Sequence, residues 1–168
     1  MKILVISDVD GCLTDGGMYY DSTGKVIKRF SAGDHEGLKL LKKNNIDTKF
    51  ITADKVGYPI TKQRIDDMSK SELYIISETE RPLFIKEFRK IYDYIIFFGD
   101  GLGDAQIKRQ GICDLFICPS QSIKPVKNLA DIVTENEGGH AAFLEMAISA
   151  LYRLYENKII DNIKELYD

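Results

Sequence analysis

The sequence has no apolar run approaching the roughly 20 residues that span a bilayer, and no excess of basic residues. Its formal charge is −3, which argues against nucleic acid as the main partner, because phosphate backbones select a basic face. Three cysteines, Cys12, Cys113 and Cys118, form no CxxC and leave an odd one over. That excludes a disulfide frame or a cysteine zinc site as the organising principle and points to reduced, mostly structural thiols in a cytoplasm. There is no internal repeat, no low-complexity stretch and no linker. The opening MKILVISDVD meets acids too early for a signal peptide. What is present, 168 residues with 44% hydrophobic and 29% charged, is the composition of one ordinary soluble domain with a real core.

Apolar runs alternate with helical patterns. Strands are expected over 2–6, 47–52, 72–76, 93–100, 114–118 and 131–134. Helices are expected at 34–45 with Asp34 as N-cap, at about 59–67, at 81–92 with Pro82 in the first turn, near 103–110, near 123–129 and from about Gly139 to Tyr155. A short amphipathic tail follows from 158 to 167. Strands separated by single helices mean an α/β fold with a doubly wound parallel sheet. The stretch 17–30 does not fit that sheet and reads as a β-hairpin turning at Ser22-Thr23-Gly24.

Ligands in such folds bind beyond the carboxyl ends of the strands, and acids collect there. Asp8 and Asp10 close the first strand, with Val9 between them. Thr52 and Asp54 follow the second, and Asp100 and Asp104 follow the most apolar one in GDGLGD. Arg81 opens the helix between these last two groups. One aspartate at a strand end is usually a turn former, but two strand ends carrying D-x-D and G-D-x-x-x-D form a cluster that repels itself without a cation. Hard oxygen ligands suit Mg²⁺. The Thr52 hydroxyl can hold a phosphoryl oxygen, Arg81 can neutralise phosphate and carboxylate, and Gly11, Gly99, Gly101 and Gly103 let backbone approach an anion.

These residues, in this order, resemble the haloacid dehalogenase superfamily of phosphohydrolases: DVDGCLTD (8–15), Thr52 in FITAD, a cation at Arg81, and GDGLGD (99–104). DGCLTDGGMYY, KRFSAGDHEGLKLL and EGGHAAFLE are similar to the branch containing 3-deoxy-D-manno-octulosonate 8-phosphate phosphatases. Its relatives act on nine-carbon sialic-acid-type 9-phosphates or form the phosphatase-like domain of some acylneuraminate cytidylyltransferases. The resemblance implies a Mg²⁺-dependent homotetramer without a cap domain, the hairpin covering the site and a neighbouring subunit completing the lid. It implies Asp8 as nucleophile, Asp10 as general acid and base, and Mg²⁺ held by Asp8, the Asp10 backbone carbonyl and Asp100, with Asp104 orienting waters. Thr52, Arg81 and Gly11 would bind phosphate.

Departures bear on the substrate. Arg81 stands where the family has Lys, Gly101 follows Asp100, Ala53-Asp54 replaces Gly-Arg, and Gly33 and His140 replace arginines. Asp54, Arg64, His140 and the hairpin are the expected substrate-selecting features, with Asp54 tilting toward a nine-carbon acid. Two other classes compete. A phospho-acceptor receiver domain would use Asp54 as acceptor and Lys124-Pro125 as its lysine–proline pair. A catalytically weak relative would serve partner binding or assembly.

Overall fold

The computed structural model describes residues 1–166. Six strands form one parallel sheet: β1 (Ile3–Asp8), β4 (Ile46–Thr52), β5 (Glu72–Ile75), β6 (Tyr94–Phe98), β7 (Leu115–Cys118) and β8 (Ile132–Val133), in the order β5-β4-β1-β6-β7-β8. Two short antiparallel strands, β2 (Tyr19–Asp21) and β3 (Gly24–Ile27), make the hairpin outside it. The six helices are α1 (Asp34–Lys43), α2 (Tyr58–Met68), α3 (Arg81–Glu87), α4 (Leu102–Arg109), α5 (Lys124–Lys127) and α6 (Ala142–Glu156).

Every residue of β1 is buried, as an apolar strand covered on both faces requires. Period-two alternation divides its side chains between two cores. Ile3 and Val5 join Phe50, Phe98, Leu41, Phe143 and Leu151 under α1 and α6. Leu4 and Ile6 join Ile51, Phe97, Phe116, Ile85 and Ile107 under α3 and α4. Counting only the strands of the large sheet, the order is that of a doubly wound nucleotide-type fold, which reverses direction beside β1 and opens a crevice there. A receiver domain has a different strand order, so that reading is set aside. No inserted cap domain interrupts the strands among the described residues.

Several boundaries differ from expectation. The helix expected over 81–92 stops at Glu87 and continues as a 3₁₀ turn, Phe88–Lys90. There Phe84, Phe88 and Tyr92 pack edge to face, so the aromatic stripe continues beyond the α-helix. The tail has no helix over 158–166, and residue 167 of that expectation lies outside the described residues. The tail is held by apolar contacts of Ile159, Ile160 and Ile163 with the first core and by reciprocal bonds between Asn44 and the Lys164 backbone.

Asp34 is not the N-cap of α1. Gly33 is, and Asp34 sits inside the first turn, 1% exposed, with Oδ2 accepting the Ser31 N–H at 3.3 Å and Oδ1 unpartnered. Burial pushes this carboxyl up to about 7, against the opposing pull of the Ser31 N–H and Arg64. Between about pH 4 and 7 the folded chain therefore keeps a proton that the unfolded chain has lost, and stability falls as pH rises through that window. Asp34→Asn should gain on wild type at about 1.4 kcal/mol per pH unit or less across it, and hold a constant advantage above. Urea unfolding at pH 5 and pH 8 checks this; equal differences at both pH values would contradict it.

Candidate active site

β1 and β6 lie side by side in register Ser7↔Phe98, so Asp8 and Asp100 emerge at neighbouring strand ends, at the crevice. Asp104 is brought in by the first turn of α4, where its Oδ2 accepts the backbone N–H groups of Asp100 (3.1 Å) and Gly101 (3.0 Å). It is thus both a helix cap and a member of the cluster. Asp8, Asp100 and Asp104 can each offer an oxygen within 4.8 Å of the others.

Arg81, 4% exposed at the start of α3, crosses this cluster. Its Nη1 and Nη2 donate to Asp8 at 3.0 and 3.1 Å, and Nη1 also donates to Asp104 at 2.5 Å. One cation faces three acids. Burial and the Asp104 charge hold Asp8 well above the usual carboxylate range despite Arg81. Burial likewise raises Asp104, against Arg81 and its backbone donors, and burial with Asp104 lifts Asp100 to about 7. Burial alone would lower Arg81; Asp8 and Asp104 beside it raise it instead. A divalent cation would relieve this excess of negative charge, and three carboxylates match the hard oxygen donors that Mg²⁺ takes.

Asp10 takes different partners. β1 ends at Asp8 and the chain turns, with Leu13 and Thr14 both donating to the Val9 carbonyl. Val9 is fully buried in the core. Strand alternation therefore does not extend from Asp8 to Asp10. Asp10 Oδ1 accepts from Lys28 Nζ at 2.7 Å and Oδ2 from Thr52 Oγ1 at 2.9 Å, so its carboxylate is outside the three-acid cluster. The expected metal contact of Asp10 is through its backbone carbonyl and does not involve these oxygens. Both acids still line one cleft of 540 Å³ with Met18, Tyr20, Lys25, Asp54, Arg81, Asp100 and Asp104.

Gly11 has φ +86°, and its N–H is spent on Thr14 Oγ1 at 3.1 Å. A Cβ there would lie 2.1 Å from Asp100 Oδ2, so the glycine makes room for the acid. Thr52 is fully buried and faces Asp10. Asp54 is not an open acid: Lys25, Lys28 and the Gly57 N–H occupy it. Arg64 does not line the cleft; it donates to the Ser31 carbonyl at 2.9 Å and braces the segment entering α1. His140 also lies outside the lining, paired with Arg29 Nη1 and the Gly138 carbonyl in the loop before α6. Cys12 is buried in the first core and its thiol is pushed well up by burial, so it is filler.

Residues not foreseen are Lys25, Lys28 and Gln121. The two lysines were legible only as positive charges on a hairpin expected over an acidic cleft. Gln121 ties the first loop to the last, donating to the Gly11 carbonyl (2.6 Å) and accepting the Gly138 N–H (3.0 Å); nothing local in the sequence marks it.

No protein-family model matches the chain. The 3-deoxy-D-manno-octulosonate 8-phosphate phosphatase of Haemophilus influenzae is 29% identical, over 94% of this chain and 87% of that protein. The cobalt-bound structure of the Haemophilus influenzae phosphatase superposes with a TM-score of 0.80 at 27% identity, covering 95% of this chain and 92% of the other. Along nearly its whole length this chain is similar to phosphatases of the haloacid dehalogenase type. The Moraxella catarrhalis 3-deoxy-D-manno-octulosonate 8-phosphate phosphatase was solved with magnesium, phosphate and the sugar acid. It shares the fold at TM-score 0.78 and 24% identity, over 93% of this chain and 90% of that one.

Proposed function

We propose that this phosphatase hydrolyses the phosphomonoester of an ulosonic sugar acid with Mg²⁺, through an aspartyl-phosphate. The observation that carries the reading is the Asp8–Asp100–Asp104 cluster crossed by Arg81 at the strand-order reversal. The Haemophilus and Moraxella phosphatases, which act on 3-deoxy-D-manno-octulosonate 8-phosphate, support the eight-carbon substrate first; a sialic-acid-type 9-phosphate is the alternative. Asp54, which would favour nine carbons, is already neutralised by two lysines.

Asp8, Asp100 and Asp104 would hold the magnesium, which supplies charge stabilisation to the phosphoryl oxygens and the attacking carboxylate. An Asp8 oxygen attacks phosphorus, the bond from phosphorus to the sugar oxygen breaks, and Asp10 gives that oxygen its proton. Asp10 then takes a proton from water as the water attacks the aspartyl-phosphate, releasing inorganic phosphate and regenerating Asp8. Arg81 would turn its guanidinium donors to the phosphoryl oxygens as charge leaves Asp8, with Thr52 and the Gly11 loop shaping the phosphate end.

The hairpin would act as the flap over this site. Its exposed Met18, Tyr19, Tyr20, Val26 and Ile27 support burial against further copies of the chain, in a homotetramer whose neighbouring subunit completes the lid. No helix of the described residues is long and apolar enough to cross a membrane.

A panel of phosphorylated eight- and nine-carbon ulosonic acids and hexose phosphates, with Mg²⁺ and with chelator, tests the reading. The expected result is chelator-sensitive release of phosphate, fastest from an ulosonic acid. Faster turnover of hexose phosphates would overturn the substrate, and no turnover of any ester would favour the assembly role.

A further inference from the structure

We propose that Asp54 is a positioning residue that seats the flap and, through Lys28, fixes Asp10; the second half rests on the phosphatase reading above. Asp54 stands in the turn after β4, opposite the flap strand β3. Its Oδ2 accepts from Lys25 Nζ at 2.5 Å and from Lys28 Nζ at 2.8 Å, and its Oδ1 accepts the Gly57 N–H at 2.9 Å. Lys28 Nζ continues to Asp10 Oδ1 at 2.7 Å and to Thr61 Oγ1 at 3.1 Å. The Asp54 N–H donates to Thr52 Oγ1 at 3.0 Å, and that hydroxyl donates to the other Asp10 oxygen. Both oxygens of Asp10 are therefore held by groups that Asp54 itself holds.

The flap needs such a seat. A two-stranded hairpin is marginal by itself in water, and every residue of β2 is exposed. Its attachments are charged instead. The side chains of Lys25, Lys28 and Asp54 are only 3%, 2% and 14% exposed, where salt and water screen ion pairs weakly. Burial alone would raise the Asp54 carboxyl, but hydrogen bonds from Lys25 and Lys28 hold it well below the usual carboxylate range. With both lysines on Oδ2 and the Gly57 N–H on Oδ1, each Asp54 oxygen is already engaged within the chain. Its effect on the reaction passes through Lys28 and Asp10, so that a seated flap and an aligned acid come together.

The test uses the full chain and two readouts. Amide hydrogen exchange over residues 19–27 and 9–16 needs no turnover, and steady-state kinetics use p-nitrophenyl phosphate with Mg²⁺. Asp54→Asn and Lys25→Met should each speed flap exchange about tenfold or more, with the double variant no faster than Asp54→Asn. Asp54→Asn should also loosen residues 9–16 and lower kcat about tenfold with a smaller change in KM, and Asp54→Glu should recover part of both. Exchange in β1 and β6 reports whether the fold survives. An unchanged flap in Asp54→Asn overturns the seat. A loosened flap with residues 9–16 and kcat at wild-type values overturns the link to Asp10. If wild type turns over no phosphomonoester, the phosphatase reading fails while the two exchange readouts still decide the seat and the link.

Discussion

Asp8→Asn is expected to lower phosphatase turnover by about 10⁴-fold or more without lowering the melting temperature. An amide of the same shape keeps the site's packing but cannot attack phosphorus. The exchange forfeits one of the two Arg81 bonds to Asp8, but it also removes a buried acid whose charge is disfavoured by burial and by Asp104. Arg81 keeps its 2.5 Å bond to Asp104, so no buried cation is stranded. Removing one of three mutually repelling acids should raise stability in metal-free buffer, as is common where a site is built for function rather than stability. Turnover with Mg²⁺ and thermal unfolding without it, on the same preparation, check both halves. Activity within tenfold of wild type would eliminate Asp8 as nucleophile. A large fall in melting temperature would mean that Asp8 holds the fold together.

Some of this site could be read from residues alone, and physical reasons separate what could from what could not. β1 and β6 announce themselves because strands buried on both faces are unbroken apolar runs. Acids placed just past such strands stand out against them, and topology brings Asp8, Asp100 and Asp104 together without further information. Asp10 was legible as a site residue but not in its direction, because that depends on β1 ending one residue before Val9. The partnership of Lys25 and Lys28 with Asp54 and Asp10 joins residues far apart in the chain. It exists only once the hairpin folds back over the sheet, and no local spacing encodes that. Arg64 and His140 lie outside the cleft lining for the same reason. Packing turns Arg64 to the Ser31 carbonyl and His140 to Arg29. Asp34 fits its helix boundary as a cap, yet Gly33 takes that place and the acid is drawn into the first turn of α1.

Arg81→Met should be the most destabilising change at the site, because it removes the one cation that the cluster buries. Arg81 makes three hydrogen bonds to two carboxylates that are 6% and 1% exposed. Stranding such acids costs about 3–5 kcal/mol, a large share of a small domain's stability. The loss should depend on pH in a definite direction. Asp8 and Asp104 are already raised with Arg81 present, and without it both would rise further, so the variant would take up protons on folding. Its deficit against wild type should therefore be largest at pH 8 and shrink as pH falls toward 5, where protonated carboxyls need no cation. Magnesium should act in the same direction as acid. A cation binding the folded state stabilises in proportion to the logarithm of its concentration, and it should recover more stability in Arg81→Met than in wild type. Arg81→Lys separates charge from geometry: it should keep most of the stability but lose the two-pronged grip on Asp8. Urea unfolding of the three proteins at pH 5 and 8, with and without Mg²⁺, decides the matter. A pH-independent deficit in Arg81→Met would show that the arginine contributes packing rather than charge.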